Sequence, residues 1–247
     1  MRACGIIPAR GGSTAIPRKN LVTLGGKPLV AYTILAAREA DSLSDVIVST
    51  EDEEIAAVAR EWGAEAPFMR PECLAGDDVP TVEVLRHAVR WLADHGRSLP
   101  LTVLLQPTSP LRTAADIDAT VRKLIETGAD SAFTICEADT PAEWLLRLSG
   151  DRARQLLDAQ RQRFSSPRQL LPPVYCQNGA VEVYRTERLL AGEDMYGEDM
   201  RVVIMAREDS IDVDDWLDLE RAEAALARRQ RGGSGRPERE SCAGQGA

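Results

Sequence analysis

The sequence predicts an α/β fold built on a mostly parallel, doubly wound sheet. Short apolar, β-branched runs at 4–7, 45–50, 66–69, 101–105 and 131–136 alternate with helical stretches. That is the pattern of strands joined by helical crossovers and covered on both faces. With 247 residues, 44% of them hydrophobic, the chain can bury a sizeable core as one large domain or two small ones. In such sheets ligands sit at the carboxyl ends of the strands, so the loops at Pro8, Met69 and Leu105 are where function is sought.

The elements follow in order. Lys27-Pro28 opens a helix with proline in its first turn, running to about residue 40. Residues 45–50 form a buried strand, and 51–62 a second helix with carboxylates at its positive end and Gly63 as its stop. A brief strand at 66–69 precedes a helix at 81–95, whose apolar stripe is Val82, Leu85, Val89 and Leu92. A strong strand at 101–105, a helix at 114–127 and a strand at 131–136 complete the regular half. Residues 139–178 then carry four prolines and weak periodicity, an irregular excursion or β-arm. Strands at 180–184 and 201–205 and a last helix at 215–229 return to the sheet. The expected organisation is one domain over 1–229, including an arm at about 139–195, and a disordered tail over 230–247 that has almost nothing apolar.

Charge and cysteine usage exclude several classes. The net charge of −9 argues against a nucleic-acid surface, so a polyanionic ligand needs a local basic pocket. No apolar run approaches the ~20 residues that span a bilayer, and the chain enters a strand with no signal region, so a cytoplasmic location is expected. Cys4, Cys73, Cys136, Cys176 and Cys242 are scattered and read as free thiols. His87 and His95, the two histidines, read as packing or solvated residues, not metal ligands.

The first loop is the strongest chemical signal. After the first strand come Gly11-Gly12-Ser13, with Arg10, Arg18 and Lys19 as three cations and Asn20 beside them. Glycines that admit close approach and positive φ, together with fixed cations, make a cradle for phosphates. It is neither a P-loop nor a dinucleotide fingerprint, because the lysine-serine step and the third glycine are missing. Arg70, after the 66–69 strand, reads equally well as a nucleotide contact or a surface arginine. Two prolines stiffen the loop of Gln106, Thr108 and Arg112 and preorganise Gln106 and Thr108 for a ligand, or the loop merely caps the next helix. Asn178-Gly179 by itself marks a turn. In the extended 209–215 segment Asp212 and Asp214 share a side, with Ile211 and Val213 opposite. Two hard carboxylates without histidine suit Mg²⁺, which takes further ligands from phosphates. Alone the segment reads as a helix cap, and the phosphate loop makes metal the better reading.

These stretches resemble one family. Ile-Pro-Ala-Arg-Gly-Gly-Ser with Ile-Pro-Arg-Lys-Asn, Val-Ser-Thr-Glu-Asp at 48–52, Arg-Pro-Glu-Cys-Leu-Ala at 70–75 and Leu-Gln-Pro-Thr-Ser-Pro-Leu-Arg at 105–112 occur in its order. Gln-Asn-Gly-Ala at 177–180 and Asp-Ser-Ile-Asp-Val-Asp at 209–214 complete the series. Over roughly residues 3–227 the chain resembles the CMP-sialic acid synthetases, or N-acylneuraminate cytidylyltransferases. The resemblance implies a Rossmann-like nucleotidyltransferase with a dimerisation arm, a homodimer. It implies that CTP and a nine-carbon 2-keto sugar acid give a CMP-sugar and pyrophosphate. It places Ala9, Arg10, Gly12, Ser13, Lys19, Asn20, Arg70 and Thr81 on the nucleotide. Gln106, Arg168 and Asn178 fall on the sugar acid, with Arg168 on its carboxylate, and Asp212 and Asp214 on Mg²⁺. Arg10, Lys19, Asp212 and Asp214 carry the catalytic roles.

Two departures stand out. Thr14-Ala15 replaces the family's usual Lys-Gly, with Arg18 as the cation placed to compensate. The arm's Thr140-Pro141-Ala142-Glu143 lacks a basic residue found nearby in some members, which leaves the sugar open. The alternatives are a CMP-Kdo synthetase-like enzyme and a degenerate, non-catalytic nucleotide-binding member.

Overall fold

The alternation of the first strand sets up both faces of the sheet. A computed structural model describes residues 2–157 and 163–231. In β1 (Ala3–Pro8), Ala3 and Ile7 join one apolar cluster while Cys4 and Ile6 join another. Val48, Val103 and Val183 repeat the first choice, and Ile47, Leu104 and Tyr184 the second. A period of two therefore assigns each strand residue to one of two layers.

The first layer is packed by α1 (Leu29–Glu39), α2 (Glu53–Glu61) and α4 (Ala114–Thr127). The second is packed by α3 (Thr81–Asp94) and α5 (Thr186–Ala191). The remaining sheet strands are β4 (Leu43–Ser49), β5 (Leu101–Leu104), β6 (Ser131–Glu137), β9 (Tyr175–Arg185) and β10 (Met200–Ile204). Their order is β10-β6-β9-β5-β1-β4. The pairs β1–β4, β1–β5 and β10–β6 are parallel, and β9 alone runs against its neighbours β5 and β6. The doubly wound, mostly parallel expectation holds.

The differences are local. Lys27–Pro28 forms the short strand β3, paired with β2 (Thr23–Leu24), so Pro28 caps α1 from outside its first turn. Residues 66–69 make no strand; Glu65 and Met69 each form one isolated bridge, to Ile47 and Thr50. The arm contains a hairpin, β7 (Leu146–Ser149) and β8 (Arg152–Gln155). β9 starts well before residue 180, because its irregular register against β6 lets it pass through Gly179 at φ +64°. The last helix, α6 (Trp216–Arg231), runs two residues past the expected end, and the expected tail from 232 onward lies outside the described residues, as does Cys242.

Cys4, Cys73, Cys136 and Cys176 are free, as expected, and burial pushes the Cys4 thiol up to about 12. His87 packs edge-on to Phe68 and His95 stacks on Trp91, both packing roles.

A capping box starts α4: the Thr113 hydroxyl accepts from the Asp116 N–H, and the Asp116 carboxylate accepts from the Thr113 N–H. Thr113→Ala removes one half of this exchange and should cost about 1 kcal/mol. Chemical denaturation checks it; an unchanged midpoint would show that α4 is held by packing alone.

Candidate active site

The first loop is held from beneath by a carboxylate. Glu51, two residues past the end of β4, accepts from the Gly11 N–H at 2.7 Å and from Arg70 at 2.5 Å. The Arg70 backbone N–H in turn donates to Thr50 at 2.7 Å. Arg70 is 5% exposed, so its charge belongs to the floor of the cleft and is not that of a surface arginine. Asn20 donates from Nδ2 to the Arg10 carbonyl at 2.8 Å and braces the same loop. Gly11 is required for space: a Cβ there would lie 2.5 Å from Asp52 Oδ2. Neither Gly11 nor Gly12 uses the positive φ open to it; the left-handed residue of the segment is Arg18, at φ 54°.

Arg18, the cation placed to compensate for Thr14-Ala15, is not among the residues that line the cleft. Its guanidinium donates to both oxygens of Asp52 at 2.8 and 3.0 Å and to Glu54 at 2.8 Å. Asp52 also caps α2 through the Glu54 and Ile55 N–H groups. Arg18 thus fastens the loop to a helix start, and its hydrogen bond holds the Asp52 carboxyl below its ordinary value.

A cleft of about 370 Å³ opens above this floor. Arg10, Gly12, Ser13, Lys19, Asn20, Arg70 and Thr81, all expected nucleotide residues, line it with Gln106, Asp212 and Asp214. Ala9 does not: its side chain is buried and its N–H donates to Ser49. Arg10 is paired with Asp77 across the opening. A second chamber of about 430 Å³ shares Thr81, Gln106 and Asp212 with the first and adds Asn178, Gly179, Glu182 and Tyr196.

The acidic segment reaches the cleft because its apolar residues are locked behind it. Val213 is fully buried with Ile16, Leu24, Leu29 and Leu219, and Ile211 packs against them. The Val213 N–H donates to Thr108 at 2.7 Å. Asp212 and Asp214 therefore share the open side, as the alternation predicts, and Lys19 meets Asp214 at 3.1 Å. The helix cap is a different residue. Asp215 accepts from the Asp218 N–H at 3.0 Å, and Asp218 accepts from the Asp214 and Asp215 N–H groups. Capping therefore leaves both cleft carboxylates available.

No group of three or more His, Cys, Asp or Glu able to hold a metal occurs among the described residues. The donor set at the cleft is two carboxylates, which fits Mg²⁺ sharing its coordination with phosphates and water. Desolvation by the cleft walls pushes the Asp212 carboxyl up, and Asp214 adds to this, while the Thr108 hydrogen bond and Lys19 oppose it.

Arg112 carries a role its motif alone did not reveal. It is 3% exposed and donates to the Thr33 hydroxyl at 2.6 Å and to the Gln106 carbonyl. Burial lowers it to about 9, with Asp116 and Asp212 opposing, so it remains a cation near neutral pH beneath the Gln106 loop. Its place just after two prolines at the end of the strongest strand was the available signal.

The expected sugar residues divide. Gln106 lines both chambers, its amide 3.1 Å from where a Cβ on Gly179 would lie. Asn178 borders the second chamber, but its side chain is engaged. Oδ1 accepts from Thr134 at 2.6 Å and from the Ala180 N–H, and Nδ2 donates to Ser210 at 2.9 Å. It ties β9 to the acidic segment. Arg168 borders neither chamber; it donates to the Asp139 carbonyl at 2.9 Å and sits 3.7 Å from Glu137, in the arm.

The raised Asp212 carboxyl means that its ionised form costs stability at neutral pH, and that this cost is relieved as pH falls through the raised value. Asp212→Asn should therefore melt at or above the wild-type temperature at pH 7, and the difference should close as pH falls toward 4. A mutant that melts well below wild type at pH 7 would show the carboxylate to be a structural element.

Comparisons with known proteins agree with this geometry. A family model described as cytidylyltransferase matches residues 4–220. An N-acylneuraminate cytidylyltransferase of Escherichia coli is 32% identical over 219 residues, 88% of this chain, which spans about half the length of that relative. A pseudaminic acid cytidylyltransferase of Campylobacter jejuni is 30% identical over 220 residues, covering 89% of this chain and 94% of the relative. Among solved structures, a CMP:2-keto-3-deoxy-manno-octonic acid synthetase complexed with CTP aligns with a TM-score of 0.69 at 18% identity. It covers 92% of this chain and 99% of that one, and at this identity shows the shared fold alone. No helix among the described residues is long and apolar enough to cross a membrane. A buried arginine floor, two facing carboxylates and these matches converge: the chain belongs to the cytidylyltransferases of the CMP-sialic acid synthetase type.

Proposed function

We propose that the protein activates a nine-carbon 2-keto sugar acid with CTP, giving the CMP-sugar and pyrophosphate. The observation that carries this reading is that the two chambers meet at Asp212. The triphosphate belongs in the basic chamber, against Arg10, Ser13, Lys19 and Arg70. The sugar acid belongs in the second, against Gln106. Its anomeric hydroxyl oxygen attacks the α-phosphorus, the bond to the β-phosphate oxygen breaks, and pyrophosphate leaves with that electron pair. The hydroxyl proton passes to water, and Asp212 is the aspartate that faces both chambers. Asp212 and Asp214 would hold Mg²⁺, which when bound neutralises phosphate charge and lowers the pKa of the attacking hydroxyl. Lys19, paired with Asp214, keeps a cation beside the leaving phosphates.

The acting form in this reading is a homodimer. The arm exposes Leu145, Leu146, Leu148, Phe164 and Leu170, the last at 76%. So many apolar side chains on one irregular excursion need a covering surface, and a second copy supplies it. Arg168 rides on this arm, outside the chambers of its own chain, so its pairing with the sugar carboxylate would be made across the dimer.

Pyrophosphate release from CTP and Mg²⁺ tests the reaction, with sialic, pseudaminic and legionaminic acids and eight-carbon Kdo supplied in parallel. Release is expected with at least one nine-carbon acid and not with Kdo. Release with Kdo alone would shift the reading to the shorter sugar, and none with any acid would favour a non-catalytic member. Light scattering at micromolar concentration should give a dimer mass; a monomer would leave the arm's apolar face unexplained.

A further inference from the structure

The second chamber has a carboxylate in its wall that the reaction above does not use. Glu182 lies mid-strand in β9 and is 4% exposed. Three donors converge on one of its oxygens: the Tyr184 hydroxyl, the Tyr196 hydroxyl at 3.1 Å and Gln177 Nε2 at 2.9 Å all reach Oε2. Oε1 accepts from no described residue, and no arginine, lysine or histidine among them forms an ion pair with this carboxylate. Nor is Oε1 sealed in the core, since Glu182 forms part of the chamber wall. A nearly buried carboxylate with one oxygen saturated and the other bare is costly unless a donor arrives from the open side.

The surroundings fix which oxygen stays bare. The Tyr184 phenol lies fully buried against Tyr196, edge to face at 5.6 Å, and burial beside Glu182 keeps it protonated and therefore a donor. Gln177 also reaches the Tyr196 hydroxyl at 3.4 Å. The wall is thus a small polar network in which Glu182 Oε1 is an open acceptor and its one bare carboxylate oxygen.

We propose that Glu182 determines sugar specificity: Oε1 accepts a hydrogen bond from an N–H or O–H on a substituent of the bound sugar acid, so the chamber selects acids that carry a donor there. This rests on the reading of the second chamber as the sugar site. A substituent that presents only acceptors or a bare alkyl group leaves the carboxylate unpaired and is disfavoured. A protonated amine satisfies it best, because charge assists the bond.

Glu182→Gln tests this with little change of volume. The three donors hold the amide oxygen in the Oε2 position, so the NH₂ takes the place of Oε1 and turns an acceptor into a donor. The KM for the preferred sugar acid should rise about tenfold or more, with the KM for CTP and the melting temperature unchanged. Among sugar acids that differ at one substituent, the order of preference should also invert toward acceptors. If Glu182→Gln does not fold, Tyr196→Phe, which removes one of the donors that fix Oε2 and lets the carboxylate turn away from the sugar, should raise the same KM about threefold. An unmoved sugar KM in a folded variant, or equal shifts for sugar and CTP, overturns the proposal. Wild-type protein that turns over no sugar acid overturns the chamber assignment and this inference with it.

Discussion

Lys19 and Asp214 meet at 3.1 Å although 195 residues separate them, and the cleft depends on what brings them together. Their meeting is enforced from behind by apolar packing. Ile16 from the first loop and Val213 from the acidic segment are both fully buried in one cluster with Leu24 and Leu29. Burying two such side chains contributes roughly 1.5–3 kcal/mol each, whereas an exposed ion pair contributes at most about 1 kcal/mol. The hydrophobic contact therefore closes the site, and the ion pair reports that it is closed.

The electrostatics follow from this closure. In the proposed reading an acidic chain holds a triphosphate, with one cation on the buried floor, two nearer the opening, and the chain's own carboxylates aiming them. Glu51 aims Arg70 and the Gly11 N–H, Asp77 holds Arg10, and Asp214 holds Lys19. Each of these pairs keeps a cation ordered before a ligand arrives, so less ordering entropy is lost on binding. Arg18 is withdrawn from the cleft by Asp52 and Glu54, which makes the loop firmer and its phosphate side less positive.

Much of this was legible in the sequence. Period-two alternation placed Asp212 and Asp214 on the open side and Val213 in the core, and strand–helix alternation gave the layers. The antiparallel insertion of β9 was not legible, because pairing partners are set by long-range packing and not by local pattern. Nor was the fate of Arg18: a cation in a phosphate-like loop looks alike whether its nearest carboxylate comes from α2 or from nowhere. Asn178 shows the same limit, since three groups distant in sequence, on Thr134, Met205 and Ser210, occupy its amide. Glu182 was hidden because an acidic residue in the middle of a strand marks the solvent face in most sheets, and only the crossing of Gln177, Tyr184 and Tyr196 makes it a chamber wall.

The central claim is that Asp212 and Asp214 act on the nucleotide through a divalent cation. Calorimetric titration of CTP, with and without Mg²⁺, tests it on the wild type and on the double variant Asp212→Asn, Asp214→Asn. Two carboxylates that face a triphosphate repel it without the cation and favour it with the cation. The account predicts that Mg²⁺ strongly tightens CTP binding to the wild type. It predicts that the double variant binds metal-free CTP at least as well as the wild type and gains far less from Mg²⁺. An equal gain from Mg²⁺ in both proteins would contradict it.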